Sequence, residues 1–123
     1  MNQVTLGKTG ITVPQNAFGA LPIQRVCQDY AVKLLRRAYE GGMRFFDTAR
    51  AYSDSEIKVG EAFDGMREKV YIASKTAAKT PEEFWKDLET SLKNLRTDYI
   101  DIYFYILIFY KNTILTFYKK RTD

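Results

Sequence analysis

The 123-residue sequence contains no histidine and only one cysteine, Cys27. A single thiol excludes an internal disulfide and suits a reducing compartment. Without histidine there is no zinc site of the Cys/His kind and nothing to activate Cys27 as a nucleophile, so it reads as an inert thiol. Neither a G-x-G-x-x-G turn nor a phosphate-cradling P-loop is present, and there is no internal repeat. Long apolar runs are also lacking. The stretch from Phe104 to Tyr110 is under half of the roughly 20 residues a membrane helix needs, and Lys111 and Asn112 interrupt it before the next apolar stretch. A membrane anchor is therefore disfavoured. Met1-Asn2-Gln3-Val4-Thr5 shows no basic-then-apolar leader, and the expected compartment is cytoplasmic.

Charge of one sign is scarce where it would matter for a polyanion. The formal net charge is +4, but residues 106–123 supply +3 of it, with Lys111, Lys119, Lys120 and Arg121 set against Asp123 alone. The body of the chain is nearly neutral, so no nucleic-acid partner is expected. A composition of 46% hydrophobic and 28% charged residues is that of one soluble globular domain. The length is too short for a complete eight-stranded barrel.

What is present is a regular alternation of strands and helices. Val4-Thr5-Leu6 and Ile11-Thr12-Val13 flank Gly7-Lys8-Thr9-Gly10, which predicts a hairpin closed by Pro14. Asn16 to Gly19 reads as a short strand. From Asp29 to Glu40, Ala31, Leu34, Leu35 and Ala38 recur at helical spacing, and Gly41-Gly42 supplies a left-handed stop. Arg44 to Asp47 is the next strand. After it, Ser53-Asp54-Ser55-Glu56 has the spacing of a capping box, in which Ser53 and Glu56 act as helix caps. Ile57, Val59, Ala62, Phe63 and Met66 are then expected on the buried side of that helix. Val70 to Ala73 predicts a strand. Thr80-Pro81-Glu82-Glu83 opens a helix with a threonine cap and proline at the first helical position, and Phe84, Leu88, Leu92 and Leu95 form its apolar stripe. Tyr99 to Tyr103 predicts a fourth strand of this series. Loops this short make successive strands parallel, through right-handed crossovers, which defines an α/β fold: a doubly wound sheet or a barrel.

From Phe104 onward caps, turn signals and periodicity all cease, and a strand pair or an unstructured, aggregation-prone tail is expected. The codons such residues use suggest that 104–123 is an aberrant apolar and basic tail foreign to the fold. The unit 1–103 is then the folded part.

Three ionisable side chains fall at or just after strand ends: Asp47, Tyr52 and Lys75. Neighbouring parallel strands lie about 4.8 Å apart, so residues at the same end of adjacent strands can meet. An ammonium beside a phenol stabilises its anion, and a carboxylate can hold that ammonium in place. Such a trio suits protonation of a carbonyl oxygen as hydride reaches the carbon. The plainer alternative is a strand-end ion pair beside a surface tyrosine, one of nine tyrosines in the chain.

Taken together, Leu6-Gly7-Lys8-Thr9-Gly10, Phe18-Gly19-Ala20, Phe46-Asp47-Thr48-Ala49-Arg50-Ala51-Tyr52, Ala73-Ser74-Lys75-Thr76 and Asp98-Tyr99-Ile100-Asp101-Ile102-Tyr103 resemble the N-terminal half of an aldo-keto reductase. The resemblance covers residues 3 to about 103. It implies the first half of a (β/α)8 TIM barrel plugged at its bottom by the hairpin, truncated here, and reduction of an aldehyde or ketone by NADPH or NADH. It also implies roles: Tyr52 as proton donor, Lys75 as its charged partner, Asp47 orienting the lysine and approaching the nicotinamide, and Gly19 and Ala20 beside the nicotinamide ribose and amide.

Departures from the family pattern are informative. Counting from Asp101, the family's substrate-orienting histidine falls at Ile106. Strands five to eight have no counterpart, which implies weak cofactor binding and little activity for this chain alone. A non-catalytic half-barrel that self-associates through open sheet edges is the alternative.

Overall fold

The computed structural model describes residues 1–106 and, as backbone alone, residues 114–117. An antiparallel hairpin of β1 (Gln3–Thr5) and β2 (Thr12–Pro14) comes first. A five-stranded sheet follows, in the order β3 (Phe18–Gly19), β4 (Phe45–Asp47), β5 (Tyr71–Thr76), β6 (Ile102–Ile106) and β7 (Ile114–Phe117). The first four strands are parallel. They are connected through α1 (Gln28–Glu40), α2 (Ser55–Ala62) and α3 (Pro81–Asn94), so the β/α rhythm expected from the sequence is present.

Each helix has local chemistry that bounds it. Chain direction changes after α1 at Gly42, whose φ of +107° is a left-handed conformation that favours glycine. α3 begins as anticipated: Thr80 Oγ1 accepts from Glu83 N–H at 3.2 Å, while Glu83 reaches back to accept from Lys79 N–H at 2.7 Å. The box foreseen at Ser53 and Glu56 does not form. α2 starts one residue later, with Asp54 at its cap making no side-chain capping bond, and Ser53 donates to the Gln24 side chain instead. Glu56 points inward.

That inward turn decides how α2 packs. Glu56 and Lys58 are both wholly buried beside Val59 and Ala62, whereas Ile57 is left 42% exposed, against the expectation from its hydrophobicity. Lys58 Nζ donates to the carbonyls of Ile23 and Val26 and to Asp54, and these bonds hold the polar face of α2 inward and rotate Ile57 out.

The two sheet faces are covered differently. Helices cover one face through Leu35, Val59, Phe63 and Leu95, packed on Phe46, Ile72 and Tyr103. Phe46 is at the centre, with its ring 4.5 Å from that of Phe63, and its burial is worth about 1.5–3 kcal/mol. On the other face Val13 of β2 and Ile11 just before it bury Ala73 and Ile102, with Phe45, Tyr71 and Phe104 at the margin. This is the hairpin plug.

The last parallel strand differs in two ways from the expectation. It begins at Ile102 rather than Tyr99, because the Asp101 carboxylate accepts from Ile72 N–H at 2.9 Å and takes the place of a ladder partner. Its outer edge is not open, since β7 pairs antiparallel with it from Tyr103↔Phe117 to Ile106↔Ile114. The tail expected from Phe104 onward thus enters the sheet in part, and its remainder, 107–113 and 118–123, lies outside the described residues. Among the described residues no helix is long and apolar enough to cross a membrane.

One close approach fixes the distance between α2 and the end of α3. A Cβ added to Gly60 would lie 2.2 Å from the Asn94 carbonyl oxygen and 2.8 Å from Leu95 Cα, both backbone atoms that cannot swing aside. Gly60→Ala should therefore destabilise the chain by about 1–3 kcal/mol or more, as overpacking does. Urea unfolding followed by circular dichroism should show a lowered midpoint.

Candidate active site

The C-terminal ends of β3, β4 and β5 bring the three suspected side chains together. Asp47 closes β4, and the alternation of β5 puts Lys75 on the same inward face as Ala73, the register partner of Asp47. Lys75 Nζ donates to Asp47 Oδ2 at 2.6 Å and to the Thr48 carbonyl at 2.7 Å. The ammonium lies 5.2 Å from the centroid of the Tyr52 ring and 5.9 Å from that of Phe104. Tyr52 sits in the loop between β4 and α2, with its backbone bonded to Ala49 and Ser55. Asp47, Tyr52 and Lys75 therefore form one cluster, partly open to solvent.

Gly19 and Ala20 border the cluster. Gly19 is the register partner of Asp47, and Ala20 N–H donates to the Asp47 carbonyl at 2.8 Å. A Cβ at Gly19 would meet nothing within 4 Å, so the ledge beside Asp47 is open. Below it, Ser55 Oγ donates to the Ala20 carbonyl and shares a hydrogen bond with Thr48 Oγ1. Ile106 continues the inward row of Ile102 and Phe104, which places an exposed apolar side chain at the rim.

The residues that sequence reasoning missed lie beneath this cluster. Glu56 Oε1 accepts from Ser74 and Ser91, each at 2.6 Å, and Oε2 accepts from Arg50 at 2.5 Å and Asn94 at 3.1 Å. A signal existed. Glu56 stands three, four and seven positions before Val59, Gly60 and Phe63, on the stripe that faces the core.

In this region Tyr103 is the group whose titration is displaced. Burial pushes its phenol up to about 12; the Ser91 hydroxyl opposes the shift, the carboxylates of Asp87 and Glu56 reinforce it, and Thr76 opposes it slightly. Ser91 donates to Glu56, and the Tyr103 oxygen itself completes no hydrogen bond.

Comparison with known proteins identifies the family. The sequence pattern described as "Aldo/keto reductase family" matches residues 15–119, and the chain belongs to that family. It is 41% identical over 76 residues to methylglyoxal reductase YeaE of Escherichia coli, covering 58% of this chain and 27% of that protein. It is 34% identical over 103 residues to dihydrodiol dehydrogenase 3 of Bos taurus, covering 76% of this chain and 32% of that protein. Among solved structures, an aldo-keto reductase from Pseudomonas aeruginosa superposes with a TM-score of 0.78 at 30% identity, covering 84% of this chain and 45% of that one. The holo form of an aldo-keto reductase from Bacillus halodurans gives 0.76 at 26% identity, covering 84% and 39%. The chain thus spans less than half the length of these relatives, and its sheet is the first part of their α/β barrel.

The displaced phenol has a consequence for stability. An unfolded tyrosine ionises near pH 10, and the folded one at about 12. Below about pH 10 both states keep the proton and the contribution is complete; between the two values the unfolded chain loses its proton first, and stability falls. Thermal midpoints measured from roughly pH 9 to 12 should therefore drop less for Tyr103→Phe than for the wild type. At neutral pH the two should differ by no more than about 1 kcal/mol, because the hydroxyl removed has no partner.

Proposed function

We propose that this chain carries the proton-donating part of an NAD(P)H-dependent carbonyl reductase site, with a small aldehyde or ketone as substrate and the cytoplasm as its compartment. The observation that supports this most is the Lys75 ammonium, fixed by Asp47 and the Thr48 carbonyl and held 5.2 Å from the Tyr52 ring. Tyr52 donates its hydroxyl proton to the carbonyl oxygen. Lys75 stabilises the negative charge that develops on the phenol oxygen as that proton leaves, and it does so without reorganising, because both of its anchors are already in place. Asp47 balances the lysine and keeps it from swinging into solvent.

The residues present fit a reduced nicotinamide: the open ledge over Gly19 and the half-buried Asp47 carboxylate would hold its ribose and amide, while Ala20, wholly buried and bonded to Asp47 and Ser55, fixes the ledge from beneath. When bound, NADPH or NADH supplies hydride to the carbonyl carbon. Dinucleotide affinity in a barrel comes from several loops acting together, and this chain contributes those after β3, β4 and β5. Binding is accordingly weak and turnover by the chain alone is small. A second reading rests on β7, which among the described residues pairs on one side only and offers the other edge to another copy.

Three measurements test these readings. Nicotinamide fluorescence titration should show weak binding, and a low-micromolar dissociation constant for the monomer would overturn that part. A chimera joining residues 1–103 to the second half of the Pseudomonas aeruginosa barrel should reduce a simple aldehyde, and Tyr52→Phe within it should cost about 100-fold or more in turnover with cofactor binding kept. Equal activity with and without the Tyr52 hydroxyl would refute Tyr52 as the acid. For the second reading, light scattering should detect dimers or larger species; a sharp monomeric species at high concentration would exclude it.

A further inference from the structure

Glu56 is wholly enclosed, charged, and unused by the reaction proposed above. Its four donors come from different parts of the chain: Arg50 from the loop after β4, Ser74 from β5, and Ser91 and Asn94 from α3. Two of them lead directly to the candidate trio. Ser74 immediately precedes Lys75, and Arg50 stands two residues before Tyr52. The Arg50 backbone N–H also donates to the Lys75 carbonyl at 2.9 Å. The loop bearing Tyr52 is fastened to β5 near its start, where Thr48 meets Ala73 and the Lys75 ammonium, and further along at Arg50, once by backbone and once through the Glu56 carboxylate. Glu56 reaches Tyr52, Lys75 and Asp47 only through these partners, its own hydrogen bonds going to Arg50, Ser74, Ser91 and Asn94.

We propose that Glu56 is a positioning residue that sets the spacing between Tyr52 and Lys75 by holding Arg50 against β5. A carboxylate suits this task because every one of its four partners is a donor. An amide in its place keeps the shape but turns an N–H toward either Arg50 and Asn94 or the two serines, so one pair of donors loses its acceptor. The serine hydroxyls can accept that N–H whereas Arg50 and the Asn94 amide nitrogen only donate, so the oxygen stays on Arg50, the ion pair becomes a hydrogen bond to a neutral oxygen, and the hold on the loop at 49–54 is weakened. The proposal rests on the reading of Tyr52, Lys75 and Asp47 as the reacting site, yet the spacing it concerns is measurable without turnover.

The test uses the full chain labelled with 13C at tyrosine Cζ, the Tyr52 resonance being the one lost in Tyr52→Phe. In Glu56→Gln this signal should move or broaden while that of Tyr39, packed on Phe63 beside α1, stays in place. Exchange of the Arg50 amide should accelerate by roughly 10-fold or more, with amides in α1 unchanged, as expected for a local opening. Should Glu56→Gln fail to fold, Arg50→Met cuts the same link from its partly exposed end and should give the same two signatures, with Arg50→Lys restoring them in part. An unmoved Tyr52 signal in either folded variant, or equal changes at Tyr39 and throughout α1, overturns the proposal. If the trio is not catalytic, the turnover test in the chimera fails while the Tyr52 signal still responds to Glu56→Gln, so the two failures are distinguishable.

Discussion

Buried charge on α2 is the constraint from which much of this structure follows. A helix of eight residues that turns both a carboxylate and an ammonium inward can be stable only if each finds a complete set of partners. Glu56 finds them across β5 and α3, and Lys58 finds them in the carbonyls of the turn after β3. One helix therefore joins the segments on either side of it. The turn after β3, the loop after β4 and strand β5 are all tied to α2, and the cluster of Asp47, Tyr52 and Lys75 lies above that helix.

The sequence made the architecture legible where local chemistry and burial agree. Thr80 followed by Pro81 and Glu83 caps α3 as its spacing indicates, and the parallel order follows from short connections. It misled where a polar side chain had two possible employments. Ser53 and Glu56 fit a capping box by spacing alone, but the box satisfies one or two backbone donors, whereas the interior offers Glu56 four donors including a guanidinium. Ile57 was misread for the same reason, since a helix rotated by its charges cannot also bury every apolar residue. Tyr52 and Lys75 were visible as strand-end residues, but their separation depends on Arg50, Glu56 and Ser74, and such a network has no periodicity to read.

The side of the molecule beyond α3 looks different from the rest. Phe84 packs edge-on against Tyr103, but the adjacent Trp85 is 61% exposed, with Leu88 and Leu92 only half covered along the same flank. The longer relatives continue their barrels beyond the region this chain matches. Here β7 occupies the neighbouring place in the sheet with reversed direction and satisfies the backbone of β6, and among the described residues no helix covers the flank of α3.

The position of the hairpin bears on how such a chain is made. Ile11 and Val13 belong to a segment completed before any parallel strand, and they cover the inner face through Ala73 and Ile102. During synthesis each new strand emerges to find a cover already waiting for its inward side chains, and a helix follows to cover the outward ones. A β/α array built in this order shelters both faces as it grows. Its unpaired edges are then the short strand β3 and the strand most recently added, and only the second moves outward as synthesis proceeds.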